Sequence, residues 1–204
     1  MLAESALGSA LDKVTPIKLA GKFWRVVATS SLLGLVRGEN GLPEFTRIHP
    51  NLLFAGGPRR VGGRYTPMEG PDTLYLASSE RAANAEWKAG LQALFPGVEL
   101  PPKTVFATEV NLTRVLDVST VELQRALRTN SAEWRARSGP ATQRLGLACF
   151  ESGRFSALRY RSTKAAPSYC LAVFPSRMNP PEYVSVLDPQ EFFSQIQLTK
   201  RKET

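Results

Sequence analysis

Arg64, Tyr75 and Glu86 fall at equal intervals of eleven within "GGRYTPMEGPDTLYLASSERAANAEW", residues 62–87. A fixed cation, a flat aromatic face and a carboxylate in one short stretch suit a particular chemistry. The guanidinium fork matches phosphate oxygens two at a time. A tyrosine ring offers a stacking platform and a hydroxyl that seeks a partner. A carboxylate can grip ribose hydroxyls or face a developing positive charge. Together they fit a ribosyl nucleotide whose glycosidic bond is breaking, because that transition state is cationic at the sugar. Each residue also has a plainer reading: a turn arginine, a core tyrosine and a solvated helix glutamate.

The elements that would carry these residues follow from local pattern. Gly62-Gly63 allow a tight turn and a close approach before Arg64. "TLYLAS" (73–78) is a short strand bounded by Gly70-Pro71 and by serines. Ser78 or Ser79 can cap a helix whose first turn holds Glu80, and Pro96-Gly97 ends it. Ala83, Trp87, Leu91 and Leu94 recur at helical spacing, which puts Glu86 at the margin of an apolar stripe. Upstream, "KFWRVVATS" (22–30) reads as a strand, and residues 36–60 as irregular connection. Downstream, 103–112 and 114–119 read as extended, with a Ser119–Glu122 capping box opening a helix to about Arg128. After a loop containing Trp134, Pro140 opens a helix with Ala141, Leu145, Ala148 and Cys149 inward and Gly153 at its close. Residues 154–162 and 168–176 read as two strands. Strands and helices interleave irregularly, which favours an α+β domain.

Composition narrows the function classes. His49 is the only histidine, so histidine-rich metal sites and Ser-His-Asp or Cys-His pairs are poorly provided for; it reads as a surface or core-edge residue. Cys149 and Cys170 show no CxxC spacing and read as buried, inert thiols. No apolar run approaches the roughly 20 residues of a membrane helix. The start, "MLAESALGSALDKVTP", lacks a basic n-region, so a cytoplasmic location and no membrane partner are expected. The net charge of +8 concentrates in residues 125–164, with nine Arg and Lys against two acids. That stretch would attract anions: nucleic acid, a phosphorylated molecule or an acidic protein.

The block 62–87 resembles the signature of the RES-domain family, toxins of bacterial toxin–antitoxin pairs named for arginine, glutamate and serine. The family pattern is glycine–arginine, "LY" with a following "AS", then an alanine-rich helix with a glutamate, and Arg64, Tyr75 and Glu86 fall on it without gaps. "FWRVV" resembles the family's early arginine strand and places Arg25 in the site. "ALRYRSTKAAPSYCLAVFP" resembles the segment supplying the serine, placed at Ser162 with Ser156, Ser168 and Ser176 nearby. "YTPMEG" departs from the tryptophan–asparagine that often follows the arginine.

The resemblance implies a single α+β domain similar to ADP-ribosyltransferases, with a mixed β core and flanking helices. It spans 22–195, between an N-terminal arm (1–21) and a solvated basic tail (196–204). NAD+ is then a substrate, with no cofactor or metal, and its nicotinamide–ribose bond is cut by water or phosphate. Transfer of ADP-ribose to a protein is the alternative. Arg25 and Arg64 would hold the diphosphate or ribose, and Tyr75 would stack on nicotinamide. Glu86 would orient the ribose and face the oxocarbenium-like carbon, and Ser162 would hydrogen-bond the nicotinamide–ribose side. The implied partner is a cognate Xre-like antitoxin, for which the basic stretch is a docking candidate. Nucleic acid is not expected as a direct partner, and homo-oligomerisation is left open.

Overall fold

A single long strand, Lys103–Asp117, ties the sheet together by pairing along both of its edges. The computed structural model describes residues 4–29, 33–37, 43–48, 52–127, 139–187 and 197–198. In chain order these form α1 (Glu4–Asp12), β1 (Ile17–Ala28), β2 (Leu33–Arg37), β3 (Pro43–Ile48), α2 (Gly57–Val61), β4 (Leu74–Ala77) and α3 (Glu80–Leu94). Then follow β5 (Lys103–Asp117), α4 (Val121–Ala126), α5 (Pro140–Glu151), β6 (Ala157–Arg161), β7 (Tyr169–Val173), β8 (Tyr183–Val186) and β9 (Gln197–Leu198). The result is one α+β domain with a strand core.

The seven-stranded sheet runs β1-β4-β7-β6-β5-β8-β9, and β1 pairs with β5 as well as with β4. Five strands therefore close on themselves, while β8 and β9 extend the sheet from the other edge of β5. All pairs are antiparallel except β5–β6. Side chains on the two faces fill two cores. Along β4, Leu74 and Leu76 enter one core with Phe23, Phe106 and Leu171, while Tyr75 and Ala77 turn to the other. That alternation is the two-residue period of a strand, and it aims Tyr75 at the helical side.

The helices cover that second core. Leu7 and Leu11 of α1 pack with Leu145 and Cys149 of α5. Each fully buried leucine contributes roughly 1.5–3 kcal/mol over its exposed state. Arg154 ties down the end of α1 by donating to the carbonyls of Leu11 and, at 3.0 Å, Val14.

Several local expectations are corrected. Strand β1 begins at Ile17 rather than residue 22, because its edge is paired with β5 down to Val115. The span 36–60 is not irregular throughout: β2 and β3 pair as a separate two-stranded sheet, and 57–61 form α2. Residues 103–117 are one strand, not two, since β1 runs beside the whole length. Ser119 caps no helix. Its hydroxyl donates to Asp117 Oδ1 at 2.6 Å, and Thr120 occupies the N-cap of α4. The inward face of α5 is Thr142, Leu145, Gly146 and Cys149, turned from the one expected. Of the tail, 197–198 form β9 beside β8. His49, Trp134, Arg135 and the end of the helix expected to reach Arg128 lie outside the described residues.

Candidate active site

Arg25, Arg64, Tyr75 and Glu86 all line one cleft of about 410 Å³. It lies between the β1/β4 surface, the turn after α2, α3 and the start of α5. The three residues of the opening stretch thus converge, and the turn, strand and helix expected to carry them are the ones found.

The turn is shaped by its glycines. Gly62 has φ +74°, a left-handed conformation that side chains resist. Gly63 faces the Tyr75 ring so closely that a Cβ would lie 2.7 Å from its hydroxyl. Its missing side chain therefore serves Tyr75. Gly63 N donates to Thr66 O at 2.7 Å, and Tyr65 N donates to the Tyr75 hydroxyl at 2.9 Å. The Arg64 guanidinium lies 4.9 Å from the ring centre of Tyr160 and 5.8 Å from that of Tyr65, an electrostatically favourable stack.

Proton counting decides what Tyr75 presents. Thr66 donates its only hydroxyl proton to Thr73 Oγ1 at 2.8 Å, and Thr73 donates to Pro71 O at 3.0 Å. The 3.1 Å contact between Thr66 Oγ1 and Tyr75 must then carry the tyrosine's proton. Burial pushes the Tyr75 pKa up to about 12, outweighing its hydrogen bonds with Thr66 and Tyr65 and the Arg64 charge. Tyr75 keeps its proton, spends it on Thr66, and offers the cleft a fixed ring.

Glu86 is held just as definitely. Helix α3 starts at Ser79, whose side chain accepts from Ala82 N at 3.2 Å. Of the apolar stripe, Ala83, Trp87 and Leu94 border the cleft together with Gly90 and Ala93, so Glu86 at the edge of that stripe faces the cleft. Glu86 Oε1 accepts from Ser162 Oγ at 2.7 Å and Thr163 N at 3.1 Å. Ser162 Oγ in turn accepts from the amides of Lys164 (3.2 Å) and Ala165 (3.0 Å). Both its lone pairs are occupied, so its one proton points to the carboxylate. Ser162 is buried behind Glu86 and is not part of the cleft lining. It contacts the carboxylate where a contact to substrate was expected. Among the described residues nothing donates to Oε2.

Arg25, half-buried, donates from Nη2 to Phe54 O at 2.6 Å. Its buried Nε has no partner among the described residues. Desolvation lowers its pKa to about 10, which leaves it charged at neutral pH. The cleft thus holds two cations, Arg25 and Arg64, whose guanidinium groups suit an anion.

Other lining residues carry no local signal in the sequence. Tyr160 comes from β6, Trp24 from β1 and Gln143 from α5. Cys170 also borders the cleft. Burial raises its pKa to about 12, and Cys149 rises further for the same reason, so both thiols stay protonated. The basic stretch is not one free surface. Arg154 secures α1, and Arg159 pairs with Asp117 at 3.1 Å, while Arg144 and Arg161 are exposed. Among the described residues no group of three or more His, Cys, Asp or Glu gathers to hold a metal. No helix among them is long and apolar enough to cross a membrane.

The family model for the RES domain matches residues 44–194, most of the chain. The chain belongs to the RES domain family. Its fold is similar to a chain in the crystal structure of the M. tuberculosis MbcT–MbcA toxin–antitoxin complex. That likeness has a TM-score of 0.66 and 17% identity, and covers 97% of this chain and 95% of the other. A search of curated proteins gave no match. The arginine and glutamate of this RES domain face one cleft, and Ser162, where the resemblance sets the family's serine, stands behind the glutamate.

Proposed function

We propose that this RES domain is a toxin-like enzyme that cleaves the nicotinamide–ribose bond of NAD+. The observation that carries the reading is the convergence of Arg25, Arg64, Tyr75 and Glu86 on one cleft, with Glu86 Oε1 tied and Oε2 left to the ligand. In this reading the diphosphate sits between Arg25 and Arg64. The nicotinamide ring lies against Tyr75. Glu86 Oε2 takes a ribose hydroxyl and faces the anomeric carbon. As the C–N bond breaks, its electron pair leaves with nicotinamide, and the positive charge left on the sugar is stabilised by the fixed carboxylate. Water or phosphate then adds to that carbon. A fold of the ADP-ribosyltransferase kind belongs to this reading, and transfer of ADP-ribose to a protein would use the same cleft.

A cognate antitoxin is the proposed protein partner, supported by the fold shared with a chain of a toxin–antitoxin complex. The chain is taken to act in the cytoplasm without a metal or cofactor. Incubating the protein with NAD+ tests the reading: free nicotinamide should accumulate, and an inert wild type would end it. Labelled NAD+ separates the alternatives, since transfer marks a protein band while hydrolysis and phosphorolysis leave only soluble products. A nucleic-acid module built on the basic stretch would instead show steep salt-dependent binding that is indifferent to Glu86.

A further inference from the structure

Helix α5 touches the arginine turn at two points, and neither is explained by packing alone. Gln143 Nε2 donates to Gly63 O at 3.0 Å. One turn along the helix, Gly146 lies against the carbonyl of Tyr65 so closely that a Cβ would be 1.8 Å from its oxygen. Any side chain at 146 would push the helix away and carry Gln143 out of reach of Gly63. The two contacts bracket Arg64, on the carbonyl before it and the carbonyl after it.

We infer that Gln143 is a positioning residue for Arg64, with Gly146 setting the distance at which it works. The backbone of the turn is otherwise held by Gly63 N donating to Thr66 O and by Tyr65 N donating to the Tyr75 hydroxyl. Rotation of the Gly63–Arg64 peptide would swing the guanidinium off Tyr160 and out of the anion site. Among the described residues, the one donor to that peptide's carbonyl is Gln143. Its side chain borders the cleft, so the strut ends beside the ligand. The orientation of the amide is fixed, because the carbonyl of Gly63 can only accept. The inference rests on the NAD+ reading for its kinetic arm but not for its structural arm.

The test compares Gln143→Met, which keeps length and loses the donor, with Gln143→Glu and with Arg144→Ala on the exposed face of the same helix. Amide hydrogen exchange at Gly63–Thr66 should quicken about tenfold in Gln143→Met, the worth of one hydrogen bond. Exchange in α3 and β5 should stay as in the wild type. The KM for NAD+ should rise about tenfold with kcat little changed, since binding common to ground and transition state is what weakens. Gln143→Glu should be impaired at neutral pH and recover as the pH falls and the carboxyl gains a proton to donate. Arg144→Ala should match the wild type in every arm. Unchanged exchange at the turn in Gln143→Met, or quickening spread evenly over the chain, would overturn the inference. A wild type that releases no nicotinamide would sink the NAD+ reading and still leave the exchange result decisive here.

Discussion

Glu86 and Glu182 are both glutamates anchored by hydrogen bonds, and they lie in regions with opposite purposes. Glu182 sits behind β5 with a fully buried side chain. Its Oε1 accepts from Thr113 N and Oγ1, Arg114 N and Ser156 Oγ, and its Oε2 from Arg114 Nη2 and Asn179 N. Every lone pair is taken by protein. Glu86 has donors on one oxygen only, and its other oxygen has none among the described residues. A saturated carboxylate stabilises a fold. A half-saturated one on a cleft wall is rigid and still has capacity for a ligand. The contrast shows why burial alone does not identify a site, and why the count of unused acceptors does.

The largest effect that could break this contrast is on stability. Glu182→Ala should lower stability by about 3–5 kcal/mol, on the order of 10 °C in Tm, because Arg114 and several amides lose their acceptor. A melting curve like the wild type's would mean the node is not structural. Glu86→Gln should do the reverse. It should lower nicotinamide release roughly 10²- to 10³-fold, or about 2.7–4 kcal/mol of barrier, while Tm moves little. Assays on equal amounts of folded protein check this, and equal rates would remove Glu86 from the chemistry.

Acid sharpens the same contrast. Burial alone would raise the Glu182 pKa, but the bonds from Asn179, Arg114, Ser156 and Thr113 outweigh it and lower it from 4.5 to about 2. The ionised form is therefore favoured by folding. Its contribution, about 3 kcal/mol, is present above pH 4.5 and is lost as the pH falls towards 2. Denaturation followed across that window should show the loss in wild type and not in Glu182→Ala. The smallest effect belongs to Ser162→Ala. One charge-assisted hydrogen bond is worth about 1.5 kcal/mol, so release should slow roughly tenfold with Glu86 still present. A loss as deep as that of Glu86→Gln would place Ser162 in contact with the substrate after all.

The sequence made the trio legible because each member sits in a local pattern: a glycine turn, a bounded strand and a capped helix. It misled where partners are distant in the chain. The apolar stripe of α3 is plain in the sequence, but a helix pattern cannot say whether a cleft or a core receives it. Tyr160 and Gln143 enter the site through contacts with the turn around Arg64, which no spacing within β6 or α5 reveals. Glu182 follows two prolines, and its donors, from Thr113 to Asn179, come together only in the fold. The role of Ser162 changed for the same reason. Its proximity to Glu86 spans the chain from α3 to the end of β6.

The most direct measurement is a crystal structure of Glu86→Gln briefly soaked with NAD+, a variant expected to cut the dinucleotide slowly enough to trap it. The account predicts the diphosphate between Arg25 and Arg64, nicotinamide on Tyr75, and the ribose carbon facing residue 86. A dinucleotide bound elsewhere, or bound here with its ribose turned away from residue 86, would contradict it.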